Sequence, residues 1–220
     1  MAHTAGDLLA GMAHRLAPDP HANPLVPLIA RGEADRATLA ALGLEQGWVI
    51  PADRRAFLRL AQRAAGAPES AGFFTLLAEG ETLALERLTA YTAACGADGR
   101  QAAAYEPRPG CQAYPGCVAW LALNAAPADA VLALTANFSA WGDSCATIAE
   151  ALRGRYGFPD EACAFFDFFA EPAPELDRRA EAAVREALDT GTLDERLATT
   201  YGRLLQSYET GFWAALAECP

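Results

Sequence analysis

The chain has no lysine; all 17 of its basic residues are arginine. Without a lysine ammonium there is no Schiff-base nucleophile and no attachment point for pyridoxal phosphate. Histidine is almost as scarce. Only His3, His14 and His21 occur, all near the N-terminus. The later segments therefore offer no imidazole for haem, zinc, a di-iron centre, or a Ser–His or Cys–His pair. A site borrowing the N-terminal segment is the one route left to such chemistry. Strand signals are also nearly missing: β-branched runs are few, and no glycine-rich phosphate loop follows a strand. No run reaches the ~18 apolar residues needed to cross a bilayer. The opening residues, Met1 to Asp7, show no basic stretch before an apolar core, so no secretion signal is expected.

Cysteine is present but unpatterned. Cys95, Cys111, Cys117, Cys145, Cys163 and Cys219 form no CxxC and no ligand-like spacing. They read as reduced thiols of a cytoplasmic protein, and no metal site is expected. Positive charge is scarce too: the net charge is −11 and the pI about 4.7. The tight basic clusters, Arg54-Arg55, Arg153-x-Arg155 and Arg178-Arg179, each have acids nearby. Binding to nucleic acid or to an anionic membrane surface is therefore disfavoured.

What remains is helical. Apolar residues recur at helical spacing along most of the chain. Length and a hydrophobic content of 52% suit one packed domain spanning 1–220, with 1–23 as an N-terminal helix and loop. All-α architecture with roughly eight to ten helices is expected. Pro51 is expected to interrupt an early helix, with Asp53 capping the next one. A kink is expected at Gly80, and residues 96–110 read as a loop. The last helix should run from about 193 to 218, burying Leu204, Leu205, Tyr208, Phe212 and Leu216.

That helix carries the most informative motif, Tyr208-Glu209-x-x-Phe212-Trp213. Positions i, i+3 and i+4 share a helix face, so Glu209 points the same way as Phe212 and Trp213. An acid held against aromatic surface is desolvated, which raises its pKa and suits it to proton transfer near neutrality. The alternative is a surface glutamate beside two core aromatics. Other positions carry similar pairs of readings. Cys145, four residues after Trp141, is either a reactive thiol facing the same pocket or an inert buried one. Asp143 is either a ligand-binding acid or a solvated one. Trp141 and Trp48 either stack on a flat ligand or fill the core.

A helical chain of this length with this ending resembles the TenA/THI-4/PqqC family, whose fold is haem-oxygenase-like, over about residues 24–218. Further segments are similar. Leu42-Gly-Leu-Glu-Gln46-Gly-Trp-Val-Ile resembles the family's early helix with its Gln-Asp pair. Tyr114 falls where a pocket tyrosine is common. Ile148-Ala-Glu-Ala-Leu152 resembles the end of the nucleophile helix, and Phe165-x-x-Phe168-Phe169 resembles a pocket-wall segment. The resemblance implies a cofactor-free hydrolase, thiaminase II-like, that cleaves a C–N bond on a thiamine-related aminopyrimidine. A cysteine adds to the ring, an aspartate holds its amidine edge, and a glutamate shuttles the proton. It implies Glu209 and Cys145 as catalytic groups, a pocket drawn from Tyr114, Trp141, Asp143, Phe165, Tyr208, Phe212 and Trp48, and a homodimer or homotetramer. The chain departs from the pattern in two places: Gly47 stands at the aspartate position, and Trp141 at the cysteine position. A TenA-like pocket that binds a small molecule or serves a pathway partner without turnover is the alternative.

Overall fold

The computed structural model describes residues 4–19 and 22–218. His3, His21 and Cys219 lie outside the described residues. Among those described, ten helices and no strand are found. They are α1 (Ala5–Arg15), α2 (Val26–Arg31), α3 (Arg36–Arg63), α4 (Pro68–Ala94), α5 (Gly99–Ala104), α6 (Pro109–Asn124), α7 (Pro127–Gly154), α8 (Asp160–Ala170), α9 (Pro174–Thr190) and α10 (Glu195–Ala217). None is long and apolar enough to cross a membrane.

Local chemistry sets many of the ends. Asp35 starts α3 by accepting the Thr38 amide at 2.7 Å, and Asp194 starts α10 by accepting the Leu197 amide at 3.0 Å. Pro68, Pro109, Pro127 and Pro174 open their helices, where a missing N–H is no loss.

Three expectations are corrected. Pro51 does not interrupt α3, which runs unbroken through it. The ring removes one amide, the partner of the Gly47 carbonyl, and packing on both sides of the break outweighs that loss. Asp53 is consequently not a cap; it sits in mid-helix. The expected loop at 96–110 contains the short α5.

The buried residues form two clusters along the long helices. One gathers α1, α9, the C-terminal half of α3 and the N-terminal halves of α4, α7 and α10. The other gathers α2, α8, the N-terminal half of α3 and the C-terminal halves of α4, α7 and α10. Tyr114 of α6 packs against both.

The segment before α6 fastens these helices together. Glu45 of α3 is fully buried and accepts three hydrogen bonds: from the Tyr105 hydroxyl at 2.7 Å, the Arg108 amide at 2.7 Å and the Gln112 side-chain amide at 2.6 Å. The Arg108 guanidinium donates to the Ala215 carbonyl at 2.6 Å, satisfying the end of α10. Beside it, a Cβ on Gly110 would stand 2.7 Å from the Ala215 Cβ. A methyl carbon on a backbone cannot swing aside, so Gly110→Ala must push α6 and α10 apart. The expected cost is about 1–3 kcal/mol; an unchanged urea midpoint would contradict this account of the contact.

Candidate active site

Where the two clusters meet, six helices enclose a cavity of about 110 Å³. α3 contributes Gln46, Val49, Ile50 and Asp53, a single face at i, i+3, i+4 and i+7. α4 contributes Glu81, α6 Tyr114, α7 Asn137, Phe138 and Trp141, α8 Phe169, and α10 Glu209 and Phe212. The walls are aromatic and the polar groups few, as in ligand pockets generally. The Trp141 ring stands 5.7 Å from those of both Phe169 and Trp213.

Among the described residues, three carboxylates, Asp53, Glu81 and Glu209, line this cavity, and no arginine or histidine does. Burial pushes Asp53 up to about 8. Burial, and then the neighbouring Asp53 charge, hold Glu81 well above the usual carboxylate range. Glu209 is pushed up to about 7 by burial, against a weak opposing hydrogen bond from the Trp213 indole N–H at 3.4 Å. The Tyr114 hydroxyl also stays protonated, first through burial and then through the charges of Asp53, Glu209 and Glu81. Among the described residues no cluster of His, Cys, Asp or Glu is arranged to hold a metal ion.

A second space adjoins the first. A groove of about 480 Å³ runs between α1, α7, α10 and the chain before α2, past His14, Asn23, Asp143, Gln206, Glu209 and Trp213. Glu209 lines both spaces. The residue thus borders both the groove and the acidic cavity.

The residues singled out from sequence fall into distinct places. Glu209, Tyr114, Trp141 and Phe212 line the cavity together. Asp143 lies in the outer groove instead. Phe165 is buried behind the wall, its ring 5.3 Å from that of Phe169, which takes the lining position. Trp48 is a correction: it is 50% exposed and borders neither space. It follows Gln46 by two residues, about 200° around the helix, and so faces outward. Tyr208 is also exposed, at 38%, as is Leu204 of the expected buried stripe, at 37%. Cys145 is fully buried but absent from the cavity lining, and burial and then the Glu209 charge hold its thiol well above its usual range.

The sequence reading missed Asp53, Glu81 and Asn137. Asp53 lines the cavity from α3, whereas the side-chain direction at Gly47 meets nothing within 4 Å. A signal did exist: Asp53 follows Gln46 by seven residues, two helical turns, on the same face. The expected break at Pro51 concealed it.

The raised carboxylates make folding pH-dependent. Unfolded, Asp53 and Glu209 lose their protons near pH ~4; folded, they keep them up to about 8 and 7. The folded state therefore binds more protons between those limits. Its stability is fully present below about pH 4 for these groups and is lost as pH rises through about 7 to 8. Glu81 acts in the same direction. The melting temperature should fall by roughly 5 °C or more between about pH 6 and 8.5, and Asp53→Leu should flatten that fall. Parallel curves for the two proteins would remove Asp53 as the cause.

Comparison with known proteins places the fold. No protein-family profile matches the chain, and no curated protein does. Several solved structures are similar, among them these two. One is a domain of unknown function with a haem oxygenase-like fold from Shewanella denitrificans OS217: TM-score 0.72, 13% identity, covering 94% of this chain and 88% of that one. The other is a TenA homologue from P. horikoshii OT3: TM-score 0.69, 14% identity, covering 97% of this chain and 98% of that one. The chain thus has the all-α, haem-oxygenase-like fold in its TenA-like form.

Proposed function

We propose that this TenA-like chain binds a small nitrogenous cation in its acidic cavity, and that Glu209 acts there as the acid–base group in hydrolysis of a C–N bond. A thiamine-related aminopyrimidine or a similar heteroaromatic amine suits the aromatic and acidic character of the walls. The observation that carries this reading is the cavity's acidic lining: among the described residues, three carboxylates and no basic side chain. Such a space is costly to ionise when empty and is neutralised by a cation.

Hydrolysis here does not run through a thiol. Cys145 is outside the lining and its thiolate is strongly disfavoured, so a covalent adduct lacks its nucleophile. Water adds directly to the carbon that bears the leaving nitrogen. Glu209, with a pKa near neutrality, takes the proton from that water and returns it to the nitrogen as the C–N bond breaks. The products are the hydroxylated ring and the free amine, with no net proton change at Glu209.

A second reading has its own observation. The displaced thiol equally fits a cavity that binds its ligand without turning it over. Steady-state assay of thiamine, its aminopyrimidine and related amines decides between them. Turnover lost in Glu209→Gln supports the hydrolase; binding without turnover in the unaltered protein supports the binding protein.

A further inference from the structure

Two side chains of the cavity have buried polar atoms with no hydrogen-bond partner among the described residues. Asn137 is 4% exposed, and neither its Oδ1 nor its Nδ2 is bonded; Asp53 is 5% exposed, and its Oδ1 is unbonded. Buried amides and carboxyls without partners are rare, because each costs free energy on folding. The protein shows nearby how a structural carboxylate is treated. Glu45, two turns before Asp53 on the same helix, is equally buried and accepts three hydrogen bonds. The unpaired atoms of Asp53 and Asn137 both belong to residues lining the cavity.

We propose that Asn137, Asp53 and Glu81 form the recognition subsite of this cavity, for a compact cation whose N–H donors lie beside a neutral donor–acceptor group. This rests on the reading of the cavity as a ligand site but does not depend on Glu209 chemistry. Each part of the ligand answers one unpaired group. The N–H donors satisfy the Asp53 carboxylate, and the positive charge is shared with Glu81. A hydroxyl, amide or ring nitrogen beside an N–H gives Asn137 the acceptor its Nδ2 needs and the donor its Oδ1 needs. The faces of Phe138, Trp141, Phe169 and Phe212 suit a cation rather than an anion, because aromatic faces carry negative charge density.

The subsite makes a prediction that a merely acidic cavity does not. Charge is read by Asp53 and Glu81, and the neutral group by Asn137, so the two can be removed separately. A matched set of probes tests this: ethanolammonium, ethylammonium without the hydroxyl, and ethylene glycol without the charge. Affinities are measured by calorimetry or ligand-observed NMR at one fixed, mildly alkaline pH, which favours the ionised carboxylates. Ethanolammonium should bind about tenfold tighter than ethylammonium, and ethylene glycol at least about 100-fold more weakly than ethanolammonium. Asn137→Leu should abolish the first ratio and keep the preference for charge. Asp53→Asn with Glu81→Gln should abolish the preference for charge. Thermal unfolding of each variant establishes that it is folded, and Glu209→Gln should retain both ratios. Undetectable ethanolammonium binding by the unaltered protein, or a first ratio unchanged in Asn137→Leu, would overturn the subsite. A failure of the hydrolytic reading looks different: both ratios would stand while turnover is missing or survives Glu209→Gln.

Discussion

Glu209→Gln should lower kcat by about 10²–10⁴-fold, while ligand affinity changes by less than about tenfold. The first figure is the usual contribution of a positioned acid–base group. The second follows from geometry: glutamine keeps the shape of the side chain and its contact with Trp213, and Asp53 and Glu81 still supply negative charge. A loss confined to kcat marks a group that acts in the transition state rather than in binding. The pH profile provides an independent readout. As the base that receives the first proton, Glu209 must start ionised, so kcat/KM should rise with pH through about 7. That limb should vanish with the carboxylate. Cys145→Ala should leave the rate within about threefold, since the thiol is outside the cavity and held protonated. The opposite pattern, a dead alanine variant and an active glutamine one, would restore covalent catalysis and overturn the direct-water route.

Two substitutions on one helix should move stability in opposite directions. Glu45→Leu should lower the melting temperature by roughly 8–12 °C, and Asp53→Leu should raise it by roughly 2–6 °C. Both replace a buried carboxyl group on α3 with an aliphatic side chain. At position 45 the change strands three donors, from Tyr105, Arg108 and Gln112, in the protein interior. It also loosens the segment that satisfies the end of α10. At position 53 no donor to Oδ1 is lost; an unpaired polar atom is removed, and the leucine has the cavity to expand into. Asn137→Leu, nearly isosteric, should raise stability for the same reason. Gains in stability at the expense of binding are the mark of residues kept for a ligand. Melting curves at about pH 7.5 check all three variants. A destabilised Asp53→Leu would show that its carboxyl group is structural after all.

Much of the fold is legible along the chain. Helical periodicity, the capping aspartates and the prolines of the first turns reflect interactions within a few residues, so local sequence suffices to read them. The Glu209 motif is local in the same sense: three side chains on one helical face. Where a long helix meets the rest of the protein is another matter. Pro51 looks like a breaker because its own cost is local, whereas the packing that carries α3 through it comes from other helices. Trp48 and Trp141 are the same residue type at similar helical positions. One is half exposed and the other walls the cavity, because only one faces the junction of the two cores.

The sequence by itself determined that the protein is all-helical, acidic, without lysine chemistry and with little histidine, and it marked Glu209 as an acid beside aromatics. Only the tertiary structure decided that Asp53, Glu81 and Asn137 share a space with it, that Cys145 stands outside, and that Glu45 is satisfied while Asp53 is not. The reason is physical. Whether a buried polar group is structural or functional depends on who its partners are, and those partners come from helices distant in the chain.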